Sequence, residues 1–130
     1  HLARTVTLGE PPEALVEQVE IAIKVQKITL DMMKPGADPG EIWNANNAAL
    51  KDFGYPEETR IFAHGQGYDL VERPCFDLFE TMKVAADMNI AVHPTVSSSE
   101  AVGFVCENYR VGKSGVEECL HQTRQKVYSL

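Results

Sequence analysis

The 130 residues carry 44% hydrophobic side chains, enough for one packed core and too few for two, so a single domain over 1–130 is expected. Twelve Lys+Arg against nineteen Asp+Glu leave a formal charge of −7 with no basic cluster, which argues against nucleic acid as a partner. Charges interrupt every apolar stretch well short of the roughly 20 residues that cross a bilayer, and no charged-then-apolar leader pattern opens the chain, so no membrane contact and a cytoplasmic location are expected.

The chain begins at His1, within what reads as a strand, since Val6 and Leu8 alternate with Thr5 and Thr7. Such a start points either to processing or to residues further upstream. Gly9-Glu10-Pro11-Pro12 ends the strand and presets the first turn of a helix. From Glu13 to about Met33 one apolar row runs through Leu15, Val19, Ala22, Ile23 and Leu30, and a second through Ile21, Val25, Ile28 and Met32. A helix apolar on more than one side is expected to lie between a sheet and a further layer. Lys34-Pro35-Gly36 stops it. Asp38-Pro39 then reads as an N-cap followed by proline at the first helical position, and the second helix extends to Phe53, with Gly54 as a left-handed cap and Pro56 blocking continuation.

Beyond Pro56 short β-type runs are predicted at Arg60–Ala63, Asn89–His93, Gly103–Val111 and Gly115–Leu120. Ser97-Ser98-Ser99 reads as a surface loop and Lys113-Ser114-Gly115 as a hairpin turn. The tail after His121 has few apolar residues and is expected to be loosely attached. Cys75, Cys106 and Cys119 are odd in number and lack a Cys-x-x-Cys spacing, which favours reduced thiols over a disulfide framework or a structural zinc site.

His64-Gly65-Gln66-Gly67 follows a predicted strand and sets one imidazole between glycines that let backbone come close. His93 closes another strand, Glu107 lies in a third, and His1 belongs to the first. Each histidine taken alone reads as a hydrogen-bonded or solvated ring; four such groups on four strands suggest a shared site. Alternation puts Glu107 and Tyr109 on one face and Asn108 and Arg110 on the other, so only one pair can join it. Gly65 and Gly67 also suit a tight strand crossing, Asp69 and Glu72 read as solvated rim residues, and Tyr68 as a packing residue.

His1-Leu2-Ala3-Arg4-Thr5-Val6, the helix ending in Lys34-Pro35-Gly36, Ala63-His64-Gly65-Gln66-Gly67-Tyr68-Asp69-Leu70-Val71-Glu72-Arg73-Pro74, Met88-Asn89-Ile90-Ala91-Val92-His93-Pro94 and Cys106-Glu107-Asn108-Tyr109-Arg110-Val111 occur in that order. Together they resemble the C-terminal half of the pita-bread fold of family M24, which contains methionine and Xaa-Pro aminopeptidases, prolidase (Xaa-Pro dipeptidase) and creatinase. The resemblance implies an α+β domain: a curved, mostly antiparallel sheet with both helices on its convex side. It also implies a hydrolase acting on amide or peptide C–N bonds of small substrates.

The family's metallopeptidases bridge two ions with two aspartates, one histidine and two glutamates. By resemblance His64 matches the family histidine and Glu107 the last glutamate, with Asn108 in place of the adjacent aspartate. The second aspartate falls on His1, the glutamate of the Glu-Pro string on His93, and a second histidine on Val71, while the first aspartate would precede residue 1. Neutral imidazole cannot bridge two cations as a carboxylate does, so the standard pair of ions is not expected. Three readings follow: one Mn, Co, Fe or Zn ion held by His1, His64, His93 and Glu107; a metal-free, creatinase-like site in which His64 and His93 move protons while Glu107 and Tyr109 bind substrate; or an inactive binding module. A half-sheet with an open edge further suggests a homodimer.

Overall fold

A computed structural model describes residues 1–130. The elements in chain order are β1 (Thr5–Thr7), α1 (Glu13–Met32), α2 (Pro39–Asp52), β2 (Ala63–Gly65), β3 (Glu72–Cys75), β4 (Asn89–Val92), β5 (Thr95–Ser97), β6 (Val102–Phe104), β7 (Glu107–Val111), β8 (Val116–Cys119) and β9 (Val127–Ser129). The main sheet has the order β3-β2-β4-β7-β8 and is antiparallel throughout. Strands β5 and β6 form a separate hairpin, and β1 pairs in parallel with β9. The expected α+β order is present, and both helices fall within a residue of their predicted bounds. No helix is long and apolar enough to cross a membrane.

Local chemistry explains the helix ends. Asp38 caps α2 by accepting the Gly40 amide at 2.8 Å. At its other end Gly54 sits at φ +83, the Gly54 amide bonds Lys51 O and the Tyr55 amide bonds Leu50 O, both at 2.9 Å, which is a Schellman closure. Both apolar rows of α1 contribute to one core, and the residues at and beyond its C-terminal end to a second. Val19, Ile21, Ala22 and Val25 pack with Leu50, Val96 and Val105. Met33 and Ile42 join Phe62, Ala63, Phe76, Ile90, Val92, Tyr109 and Val111 against one face of the main sheet. Gln26 links the two: its amide donates to Val92 O at 2.9 Å and its oxygen accepts from the Tyr109 hydroxyl at 3.0 Å.

Several strand expectations are corrected. The first run begins at Ala63 rather than Arg60, because residues 60–62 are spent on anchoring: Arg60 forks onto Glu58 and Phe62 O accepts the His93 amide at 2.7 Å. The predicted run Gly103–Val111 divides into β6 and β7, which belong to different sheets. Gly103 explains the division, since the Gln18 backbone of α1 occupies the space a β-carbon would need and Gln18 Oε1 accepts the Gly103 amide at 3.2 Å. β3 was not expected, because Glu72-Arg73-Pro74-Cys75 is polar and contains proline; it is an edge strand, where a missing amide donor is tolerated. Ser97 lies in β5, leaving Ser98 to organise the turn. The tail is not loose, for β9 pairs with β1 and Arg4 bonds the carbonyls of Thr123 and Arg124. The hairpin turn at Lys113-Ser114-Gly115 does join two antiparallel strands, β7 and β8.

Replacing Gly103 with alanine should cost more than about 2 kcal/mol in chemical denaturation, because the helix and hairpin must separate to admit one methyl group. The segment after β3 supplies a pH dependence. The Glu80 carboxylate accepts from Arg73 and from the amides of Cys75 (2.7 Å), Thr81 (2.7 Å) and Met82 (2.8 Å), and Arg73 foremost holds its pKa down at about 2. A depressed carboxylate stabilises the fold above its unfolded value of 4.5 and loses that contribution as pH falls toward 2. Glu80→Gln should therefore lower the melting temperature at pH 7 and flatten its decline between pH 4.5 and 2, as read by circular dichroism.

Candidate functional site

The ladders of the main sheet fix which side chains face the site. β2 and β4 pair His64 with Ala91, and β4 and β7 pair Ala91 with Asn108, so His64 and Asn108 share one face. The adjacent row, Ala63–Val92–Glu107, and the next, Gly65–Ile90–Tyr109, face the helices instead. His93 follows the end of β4. His1 is brought in by the segment ahead of β1, which is tied to the sheet through an isolated antiparallel bridge between Ala3 and Cys106.

Three imidazoles meet there. Ring centroids are 5.0 Å apart for His1 and His64, 5.1 Å for His64 and His93, and 5.9 Å for His1 and His93. One donor atom from each lies within 4.8 Å of the others. His64 is 2% exposed, and its Nδ1 is 2.8 Å from Gly65 O, an acceptor that requires the proton on Nδ1 and leaves Nε2 with a lone pair. His1 Nε2 is buried with no hydrogen-bond partner, which is costly unless a ligand supplies one. Burial first, and the His64 ring second, push His93 down to about 4, so its ring is neutral at pH 7. Gly65 is needed here because a β-carbon would come within 2.6 Å of Arg73 O on β3.

An amide platform holds His1 in place. The His1 backbone nitrogen donates to Gln66 Oε1 at 3.1 Å and to Asn108 Oδ1. Asn108 Nδ2 in turn donates to Gln66 Oε1 at 2.8 Å and to Asn89 Oδ1 at 2.9 Å. Of the residues expected in the site, His1, His64 and His93 are thus brought together, whereas Glu107 and Tyr109 are not. Both Glu107 oxygens are taken, one by Arg4 and the other by His121 Nδ1 at 2.6 Å, and the Tyr109 hydroxyl is bound to Gln26 in the core. Alternation had left one of two pairs for the site, and the register selects the other. Of that pair Asn108 joins the site, while Arg110 makes surface ion pairs with Glu117 (3.0 Å), Glu118 (3.5 Å) and Asp87 (3.5 Å).

Alternation also assigns Cys106, two residues before Asn108, to the site side, a placement that its lone thiol does not signal in the sequence. It is buried, and burial pushes its thiol up to about 11. Tyr68, expected to pack, is fully exposed, while Glu72 lies at the rim, where it accepts the Asp69 amide at 2.6 Å. The three-imidazole group contains no carboxylate, so it does not fit a pair of bridged ions. An unpartnered nitrogen on His1 and an oriented lone pair on His64 fit one ion.

A model of metallopeptidase family M24 matches residues 1–121. The Xaa-Pro dipeptidase of Pyrococcus horikoshii is 26% identical over 128 residues, covering 97% of this chain and 36% of that protein. The Xaa-Pro dipeptidase of Pyrococcus furiosus is 26% identical over 96 residues, covering 73% of this chain and 28% of the relative. The chain thus spans about a third of the length of the curated relatives it matches. Among solved structures, the X-Pro aminopeptidase from Thermotoga maritima superposes with a TM-score of 0.89 at 19% identity, over 99% of this chain and 37% of that one. The prolidase from Pyrococcus furiosus does so with a TM-score of 0.83 at 22% identity, over 95% and 37%. These likenesses establish the pita-bread fold expected from the sequence.

The site's frame rests on a buried ion pair whose members are 7% and 2% exposed at Arg4 and Glu107. Arg4→Met should destabilise by about 3 kcal/mol or more, since it leaves a buried carboxylate without its cation, and Arg4→Met combined with Glu107→Leu should recover much of that loss in urea denaturation.

Proposed function

The chain belongs to metallopeptidase family M24, and from that premise we propose that it forms part of a hydrolase cleaving amide or peptide C–N bonds of small substrates, in which His1, His64 and His93 hold one divalent transition-metal ion. The observation that carries this reading is the approach of three imidazole donor atoms to within 4.8 Å of one another. Of Zn, Fe, Co and Mn, imidazole donors of this kind suit Zn and Fe better than Mn, which prefers oxygen ligands, and a bound ion would supply polarisation of a carbonyl oxygen and acidification of water.

The chain's own residues prepare the site. Gly65 O fixes the His64 tautomer, burial keeps His93 a lone-pair donor, and the amides of Gln66 and Asn108 hold the backbone at His1. The Pyrococcus relatives are named Xaa-Pro dipeptidases, so dipeptides ending in proline are the first substrates to try. The protein would act in the cytoplasm, and as a homodimer it would have the sheet edges β3 and β8 available for pairing.

A second, metal-free reading is favoured by one observation: His64, with Nδ1 committed to Gly65 O, is arranged as a general base beside a neutral His93. In that creatinase-like case the same rings move protons during C–N cleavage. Elemental analysis of full-length protein purified without a histidine tag separates the two. About one transition ion per chain, lost in His64→Ala together with hydrolysis of Xaa-Pro dipeptides, supports the metal reading. Metal-free protein with amidase activity that disappears in His64→Ala supports the second reading. Protein with neither ion nor activity overturns both and leaves a binding module.

A further inference from the structure

The loop over residues 76–82, between β3 and β4, is held more firmly than a solvent-facing turn requires. Its Glu80 carboxylate is 3% exposed and accepts from Arg73 and from the amides of Cys75, Thr81 and Met82, while Asp77 Oδ1 accepts the Phe79 amide at 2.7 Å. That frame presents apolar groups to solvent: Phe79 is 88% exposed and Leu78 52%, with Ile61 at 38% beside them. Ordering such a loop costs conformational entropy, which a ring left in water does not return. Phe79 stands between two hollows. One, of about 250 Å³, lies between Trp43, Thr59, Ile61 and Leu78, and the other, of about 340 Å³, between Ile61, Arg73, Cys75 and Glu80, with Phe79 and Asp77 lining both.

We propose that this face is where two copies of the chain meet, each Phe79 ring entering a hollow beside Ile61 of the other. The proposal rests on the homodimer reading and gives it a place, since Arg73 and Cys75 belong both to the edge strand β3 and to the wall of the larger hollow. A projection and a receptacle on one surface are what a two-fold axis needs, because the same patch then fills and is filled. Charge favours a second copy over other partners. The chain carries −7, so two copies repel over most of their surface. Around Phe79 the balance differs: the Arg60 and Arg73 guanidiniums are each 55% exposed, whereas the carboxylates they pair with, on Glu58 and Glu80, are 5% and 3% exposed. Cations therefore face outward with their anions beneath, and Asp77 supplies an acid beside both hollows. Turned on itself, the surface can set the guanidiniums of one copy against Asp77 of the other around an aromatic centre, an arrangement typical of specific interfaces.

Sedimentation velocity on the whole chain, with tryptophan fluorescence read over the same concentrations, tests this. Trp43 is the chain's one tryptophan and lines the smaller hollow. The wild-type chain should sediment as a dimer at micromolar concentration, and its Trp43 emission should move to shorter wavelength as concentration rises through the transition. Phe79→Ala should weaken association by about thirty-fold or more and remove the Trp43 change, while Phe79→Tyr keeps both. The circular dichroism melting curve should stay the same in each variant, because the ring altered is exposed. A dimer that survives Phe79→Ala, or that forms without a change at Trp43, overturns the proposal and leaves the homodimer reading with another face. A wild-type chain that stays monomeric even near millimolar concentration overturns both. A monomeric chain whose Trp43 emission shifts on adding neutral phosphatidylcholine vesicles overturns the second copy in favour of a lipid surface.

Discussion

The arrangement depends on a parity shared by two antiparallel ladders. Ala91 sits opposite His64 on one side and Asn108 on the other, so every second residue of β2, β4 and β7 faces the site and the alternate ones face the helices. A slip of one residue in the β2–β4 ladder would turn His64 into the core and bring Ala63 or Gly65 out, and a slip in the β4–β7 ladder would exchange Asn108 for Glu107 or Tyr109. The register is held from the core side, where Ala63, Ile90, Val92 and Tyr109 pack against Met33 and Ile42. Gln26 adds a polar lock by bonding both Val92 O and the Tyr109 hydroxyl. The stability of the helix face thus decides the chemistry of the opposite face.

Glu107 works at the same boundary. It is 2% exposed, on a core-facing position, yet its two oxygens reach Arg4 from the strand at the N-terminal end and His121 from the C-terminal segment. Burying a carboxylate there is tolerable only because both oxygens are paired. The same pairing joins the two ends of the chain to β7, and the bridge from Ala3 to Cys106 continues that attachment toward His1. Glu107 therefore supports the site by holding the segment that delivers His1.

Much of this was legible in the sequence, and the failures have identifiable causes. Both helices could be read from their stop and start signals, Lys34-Pro35-Gly36 and Asp38-Pro39, because capping is local chemistry. The convergence of His1, His64 and His93 could be suspected from motif order. The choice between the Glu107/Tyr109 and Asn108/Arg110 pairs could not, because period-two alternation gives two faces without naming which is buried. Glu107 was placed in the site by its strand position and by its match to the family's last glutamate, and the cation that lets its carboxylate be buried, Arg4, is about a hundred residues away in the chain. The tail was misread for the same reason: Val127-Tyr128-Ser129 shows little pattern, and its partner strand lies at the opposite end of the chain.

The absence of a carboxylate from the three-imidazole group also has an electrostatic consequence. Two dications a few ångströms apart repel strongly in a buried setting, and bridging anions offset that repulsion. His1, His64 and His93 contribute no negative charge once their rings are neutral, and the nearest row's carboxylate, on Glu107, is already balanced by Arg4. Neutral donors can satisfy the coordination preferences of one ion without cancelling its charge. A site of this composition would therefore hold a single ion and leave its charge to be balanced by the ligand, which favours small molecules presenting an anionic or strongly polarised oxygen to the imidazoles.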